Sequence, residues 1–207
     1  MNRVLLTVLS GALIGLASFN SWAMNQSELE TILETQPGFT RASAHNALEA
    51  FEATLKEESA AKRAVKLNDF GVYRPKQSVG MRNYRNPRTG DAVSKEAFTF
   101  VKKPTVTSEA EFIQKAAIKA GLTEDEMRTS LATYKQAVST TLRKGGSVAI
   151  NGEGTYGVGR VKTRNYKLPN GLTGRTPGHL VARYKPYGQN KKSFDFKPDD
   201  ALNDKFK

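Results

Sequence analysis

The sequence predicts an α+β fold built from two similar units in one chain. Residues 65–73 return as residues 148–156, about 83 positions later, and residues 82–87 return as residues 164–169. In each copy, helical periodicity precedes an alternating strand pattern, and a basic hairpin follows the strand. Two copies are too few for a solenoid. We therefore expect an intrachain pseudo-dimer, with two halves packed about an approximate two-fold axis.

The helices of both copies have recognisable start signals. Ser27, followed by Glu30 three residues later, predicts a capping box at the start of a short first helix. Thr40 is expected to cap the longer helix that follows, which carries one apolar stripe. In the second copy, Gly121 ends one helix and Thr123 caps the next. Each copy should therefore contribute a helix pair.

The strands follow the helices in both copies. Alternation over residues 65–73 predicts a strand and a turn, and a long basic hairpin then returns over residues 97–101. Residues 147–156 repeat the strand, and a second basic arm follows. Only the second copy ends in a further predicted helix, at residues 198–206. Tyr73 and Tyr156 are expected in the core.

We expect three segments along the chain. Residues 1–23 have a basic start, an apolar stretch and small residues at the end, which is the layout of a secretory signal; the alternative is that the folded part simply begins at Met24. Residues 24–104 and 105–207 form the two units. The segment that joins them, residues 104–108, lacks glycine, so the units should be held close. Hydrophobic content is only 38%, which also favours association of the halves.

Positive charge is concentrated in the two hairpins. The formal net charge is +12, and residues 74–103 contain eight Lys and Arg against only Asp91 and Glu96. Residues 156–192 contain nine and no acid, whereas the helical stretches carry most of the acidic residues. A solvated surface is the simplest explanation of scattered charge. Segregation into the same segment of both copies instead favours binding to a polyanion, most simply a nucleic acid.

The residues that catalysis would need are scarce. The chain has no Cys, and its only two His residues, His45 and His179, have no partners in the sequence pattern for a metal site or a catalytic triad. A hydrolytic nuclease would need clustered carboxylates to hold a metal, and the arms have almost none. We expect a protein that is not an enzyme and has no cofactor.

A proline at a hairpin tip points to a mechanism. A two-stranded ribbon can lie along a DNA groove while its Lys and Arg neutralise phosphates. Proline has no N–H for the ladder and presents a rigid apolar ring, which can act as a wedge between base pairs. Residues 85–91 read Arg-Asn-Pro-Arg-Thr-Gly-Asp.

This segment closely resembles the arm tip of the bacterial histone-like HU and integration host factor family, which reads R-N-P-x-T-G-E/D. Residues 70–73 resemble the family's strand before the arm, and residues 24–55 resemble its two opening helices. In the second copy, residues 196–202 are similar to the family's F-K-P-x-x-x-L entry to the last helix. The resemblance covers nearly everything after Ala23, once per copy.

The resemblance implies two HU-like units, each with a helical base, a β-sheet saddle and a long β-ribbon arm. The arms would embrace double-stranded DNA in the minor groove, and the tip residues Pro87 and Pro169 would intercalate and bend it. The candidate DNA-binding residues are Arg74, Lys76, Arg82, Arg85, Asn86, Pro87, Arg88, Thr89, Gly90, Arg160, Lys162, Arg164, Lys167, Pro169, Arg175, Arg183 and Lys185.

The second tip departs from the family pattern. Leu168 stands where the family has Asn, and residues 170–172 lengthen the tip. Either leucine, Leu168 or Leu172, is therefore an alternative to Pro169 as the wedge. Tyr84 and Tyr166, which each lie between basic residues, are expected to pack across the ribbon or to stack on sugars.

The sequence as a whole predicts a non-catalytic, largely sequence-independent DNA-bending protein that is monomeric as a fused pseudo-dimer. The alternative is an exported envelope or matrix protein that binds extracellular DNA or acidic polysaccharide. The expected location is periplasmic or extracellular if the N-terminal signal is used, with no membrane attachment after its removal, and the cytoplasmic nucleoid otherwise.

Overall fold

The computed structural model describes residues 23–204, so the predicted signal, apart from Ala23, lies outside the described residues. Helices and strands are both present in each half, which confirms the α+β prediction. The first half contains β1 (Ala23–Asn25), α1 (Gln26–Glu34), α2 (Arg41–Ala60), β2 (Ala64–Leu67), β3 (Gly71–Arg85) and β4 (Ala92–Phe100). Within the described part, no helix has the length and apolar character needed to cross a bilayer.

The second half runs through the same order of elements and then continues. It contains β5 (Val106–Thr107), α3 (Glu109–Ala120), α4 (Glu124–Arg143), β6 (Ser147–Ile150), β7 (Gly154–Val161), β8 (Arg164–Lys167), β9 (Thr173–Thr176) and β10 (His179–Pro186). It ends with α5 (Asn190–Ser193), β11 (Phe194–Pro198) and α6 (Asp200–Asp204). The predicted last helix therefore begins at Asp200 and not at residue 198, because residues 194–198 form a strand; its predicted end lies outside the described residues.

The long helices begin where the sequence predicts. The side chains of Thr40 and Thr123 accept hydrogen bonds from the N–H groups of Ser43 and Glu126, and both sites form complete capping boxes. The α3 helix ends at Gly121, whose φ of 67° is left-handed.

The predicted capping box at Ser27 is wrong. Asn25 caps α1 instead: its Oδ1 accepts from the Glu28 N–H at 3.0 Å, and Glu28 Oε2 accepts from the Asn25 N–H at 2.9 Å. Asn25 has the extended backbone that a cap requires, whereas Ser27 already lies inside the helix. Glu30 faces inward and contacts His45 Nδ1 at 2.8 Å.

The strands form two larger sheets and one ribbon. The strand order is β1-β6-β7-β10 in one sheet and β11-β3-β2-β5 in the other, with β4 paired to β3. The third is the two-stranded ribbon β8-β9. Each larger sheet therefore contains strands from both halves of the chain.

The exchange of strands between the halves is reciprocal. β1, which precedes the first helix pair, pairs in parallel with β6 of the second half. β5, which precedes the second helix pair, pairs in parallel with β2 of the first half. β5 lies within the short joining segment, which is therefore part of a sheet. In addition, β11 from the end of the chain pairs antiparallel with β3.

One hydrophobic core is shared by both halves. Phe51 of α2 packs against Phe112 of α3 and Tyr134 of α4, with ring centroids 5.9 Å apart in both cases. Tyr73 and Tyr156 are buried, as predicted, and their hydroxyl groups contact each other. The two halves thus stabilise each other by burying a common set of apolar side chains.

Candidate nucleic-acid interface

The first arm, residues 78–98, is the outer part of the β3–β4 hairpin. The ladder runs from the Lys76–Phe100 pair to the Arg85–Ala92 pair. A β-bulge between Ser78 and Met81 adds one residue to β3, so that the side-chain alternation of β3 changes faces there. The bulge contains Gly80, whose φ of 88° favours glycine.

The bulge determines which arm residues share a face. Beyond it, Arg82 pairs with Lys95 and Tyr84 pairs with Val93, and these four side chains lie on one face of the ribbon. Arg85 lies on the other face. Lys95 is exposed and was not among the predicted site residues, although a lysine on the return strand of a basic hairpin is a signal that could have identified it.

The first tip is a loop of residues 87–90 closed by backbone hydrogen bonds. The Asn86 N–H donates to the Asp91 carbonyl oxygen at 2.9 Å, and the Gly90 N–H donates to the Asn86 carbonyl oxygen at 2.8 Å. The Asn86 side chain accepts from the Arg88 N–H at 3.0 Å. Gly90 has a φ of 76°, and Pro87 is exposed. The loop geometry thus gives Asn86 and Gly90 roles in shaping the tip and leaves the Pro87 ring in solvent.

The second arm, residues 162–178, is a separate ribbon. β8 and β9 are split from β7 and β10 at Thr163 and Gly178, where the Gly178 N–H donates to Thr163 Oγ1 at 3.1 Å. Tyr166 pairs with Gly174, and its ring lies over this glycine in the place that a side chain would fill. The predicted cross-strand packing of Tyr166 is confirmed.

The expected lengthening of the second tip is wrong. The Leu168 N–H donates to the Leu172 carbonyl oxygen at 2.7 Å, so the two leucines pair directly beyond the last ladder pair, Lys167–Thr173, and Pro169, Asn170 and Gly171 form the loop. This loop is one residue shorter than the first, which has four residues between Asn86 and Asp91. Pro169 is exposed.

Most of the predicted basic residues are exposed, and within residues 23–204 their side chains form no ion pair. On the two arms they are Arg82, Arg85, Arg88, Lys162, Arg164, Lys167 and Arg175; on the adjoining strands they are Arg160, Arg183 and Lys185. Thr89 lies exposed in the first loop. The charge of these side chains is therefore available to an external anion.

Arg74 and Lys76 are different, because they contact the protein itself. The Arg74 guanidinium lies 4.1 Å from the centre of the Phe100 ring. Lys76 Nζ donates to the Lys191 carbonyl oxygen at 3.1 Å and lies 3.9 Å from the Asp195 carboxylate. Both residues lie at the base of the first arm, where these contacts compete with an external anion.

The chain is similar to known proteins. The model of the family described as "Bacterial DNA-binding protein" matches residues 24–103. The DNA-binding protein HU of Campylobacter jejuni subsp. jejuni serotype O:2 and that of Campylobacter jejuni strain RM1221 are each 31% identical over 86 residues, which cover 41% of this chain and 87% of the relative.

A solved structure, the cocrystal structure of Anabaena HU with DNA, is 17% identical with a TM-score of 0.39, and the match covers 41% of this chain and 94% of that chain. The family model confirms the family resemblance for residues 24–103, and the identity to the two relatives indicates the same family. The chain belongs to the bacterial DNA-binding protein family, whose members include the HU proteins of Campylobacter jejuni.

Proposed function

We propose that this chain is a non-catalytic, largely sequence-independent DNA-binding and DNA-bending protein, in which one chain supplies both halves of an HU-like dimer. The observation that carries the proposal is the pair of exposed basic ribbons, each with an exposed proline at its tip, on a body that the two halves share. The relatives named DNA-binding protein HU support the same ligand.

The contacts between counterpart residues support the pseudo-dimer. Tyr73 and Tyr156 hold equivalent places in the repeated segments, 83 residues apart, and their hydroxyl groups contact each other. Phe51 and Tyr134 are separated by the same interval and pack edge to face. In a symmetric dimer, residues near the two-fold axis contact their own counterparts. The reciprocal pairing of β1 with β6 and of β5 with β2 supports the same interpretation.

The charge on the arms supports binding to the phosphate backbone. Unpaired Arg and Lys side chains that approach phosphates release condensed counterions, and this term is independent of sequence. In the first arm, Arg82, Arg85 and Arg88 would contact the groove and phosphates while Pro87 opens a base step. In the second arm, Arg164, Lys167 and Arg175 would have the corresponding contacts. Arg74 and Lys76 would contribute less, because they are already engaged at the arm base.

The wedge mechanism predicts a preference for deformable DNA. Unstacking one base step costs a few kcal/mol, and a nick, gap or mismatch lowers that cost. Minor-groove edges distinguish little beyond A·T from G·C, so base sequence should have a small effect.

The experiment is a binding titration of the full chain with intact and nicked duplexes of one sequence, with heparin as competitor. The proposal predicts tighter binding to the nicked duplex than to the intact one at equal charge. Ranking of all ligands by charge density alone would refute the wedge, and failure to bind either duplex would refute DNA binding.

A further inference from the structure

The outermost residue pair of the second arm is aliphatic, whereas that of the first arm is polar. Leu168 and Leu172 face each other across the ribbon, and their side chains lie on the same face. They are 45% and 63% exposed. Asn86 and Asp91 occupy the corresponding place in the first arm, joined by the same kind of backbone hydrogen bond. The two tips therefore present different chemistry to a ligand.

The fold does not depend on these leucine side chains. The turn is closed by the Gly171 N–H, which donates to the Leu168 carbonyl oxygen at 2.9 Å, and by the Leu172 N–H, which donates to Asn170 Oδ1 at 3.2 Å. Neither leucine belongs to the hydrophobic core. Burial of aliphatic surface contributes about 25 cal/mol per Å². A ligand that covers the leucine pair therefore forms a more stable complex, by a contribution that is absent from the free protein.

The surroundings of the pair favour a polyanionic ligand. Lys167 and Arg175 lie on the opposite face of the same ribbon, and both are exposed. Arg164 lies on the face of the leucines, nearer the body. Residues 156–192 contain no acid that would repel phosphate. Duplex DNA has phosphates on both sides of a groove and an apolar stack of bases between them.

We propose that the second arm inserts the Leu168–Leu172 pair between base pairs of duplex DNA, as an aliphatic wedge in place of Pro169. This inference rests on the proposed function. Leucine is among the side chains that unstack a base step when neighbouring cations hold the duplex. The chain then has two unequal wedges, proline in the first arm and a leucine pair in the second.

The test is made in the full chain with Pro87→Ala, so that the second tip supplies the remaining wedge. The preference for a duplex with a one-nucleotide gap over the intact duplex is measured, together with the fluorescence of 2-aminopurine placed beside the gap. Leu168→Ala/Leu172→Ala should reduce the preference by about tenfold and lower the fluorescence increase, since an opened step costs a few kcal/mol. The salt dependence of binding to the intact duplex should stay the same, because no charge is removed.

Two variants serve as matched controls. Ile118→Ala removes an aliphatic side chain that is 78% exposed on α3, far from the arms in sequence, and should have no effect. Pro169→Ala changes the loop between the leucines but keeps both of them, and should retain most of the preference.

The outcomes separate this inference from the proposed function. If the leucine variant keeps its gap preference, or if Pro169→Ala alone removes it, the leucine wedge is refuted and DNA binding stands. If the leucine variant instead loses binding to anionic phospholipid vesicles with unchanged DNA binding, the pair serves a membrane surface and the inference is refuted. If the wild-type chain binds no duplex, the proposed function fails, and the inference fails with it.

Discussion

The hydroxyl groups of Tyr73 and Tyr156 contact each other in the core, and both donate hydrogen bonds to Oε1 of Glu153, at 3.0 Å and 2.6 Å. Tyr73 comes from the first half of the chain, whereas Tyr156 and Glu153 come from the second. A buried carboxyl group thus lies at the junction of the halves. Burial raises the pKa of Glu153 from its ordinary value of 4.5 to about 7, and the tyrosine hydrogen bonds oppose the increase.

The first prediction concerns the pH dependence of stability. Since the pKa of Glu153 is higher in the folded chain than in the unfolded chain, the folded state binds more protons between pH 4.5 and pH 7. The stabilising contribution of Glu153 is therefore greatest below pH 4.5 and is lost as the pH rises to about 7. This loss lowers the free energy of unfolding by roughly 3 kcal/mol. Glu153→Gln should remove this dependence.

Urea unfolding of wild type and Glu153→Gln at pH 5 and pH 8 measures this pH dependence of the free energy of unfolding. The difference in stability between the two proteins should change in favour of the Gln variant at the higher pH. An equal difference at both pH values would contradict the raised pKa.

The second prediction concerns the hydrogen bond between the halves. Tyr73→Phe removes a buried donor to Glu153 and should lower the free energy of unfolding by about 1–3 kcal/mol. Tyr84→Phe removes the hydroxyl group of an exposed tyrosine on the first arm and is the matched control, with little expected change. Equal stability of both variants would show that the junction contributes little.

Several features could be predicted from the sequence because their causes are local. The caps at Thr40 and Thr123 and the stop at Gly121 depend on residues within one turn of the helix. Strand alternation alone predicts Tyr73 and Tyr156 in the core, where both are buried. The arm motif at residues 85–91 indicated the family.

The features that were missed depend on distant parts of the chain or on small shifts in register. The pairing of β1 with β6 joins segments that alternation cannot connect. The bulge at Val79 and Gly80 changes which arm residues share a face, and no composition signal marks it beyond one glycine. The pairing of Leu172 with Leu168 through the Leu168 N–H depends on the register of the hairpin, which the sequence pattern does not reveal. The burial of Glu153 follows from tertiary packing, since a turn glutamate is normally exposed.

The third prediction concerns charge. If about six to ten phosphates are contacted, log affinity should fall with log salt at about 0.9 per contact. Arg82→Ala/Arg85→Ala should weaken binding to all duplexes and lower the slope by up to about two contacts. Lys56→Ala/Lys119→Ala removes the same charge from helix residues that are paired with Glu52 and Glu57, and should leave the slope unchanged.

Titrations at several salt concentrations give the slopes. A wild-type slope near zero, or equal slopes for the arm and helix variants, would contradict binding through the arms.

The fourth prediction concerns the first wedge. Pro87→Ala removes the rigid ring at the exposed tip without removing charge, so bending and the preference for nicked DNA should fall while the salt slope is kept. Pro169→Ala should have the smaller effect, because its tip retains Leu168 and Leu172. Energy transfer across an end-labelled duplex measures the bend, and an unchanged bend in Pro87→Ala would exclude this proline as a wedge.

The most direct test of the central claim is the stoichiometry of bending by the whole chain. A duplex labelled at both ends is titrated with wild-type protein at low salt. Energy transfer between the labels and the mass of the complex are both recorded. A fused pseudo-dimer has both arms in one chain, so transfer should reach its maximum at one chain per duplex. A maximum that requires two chains, or binding without any rise in transfer, would contradict the account.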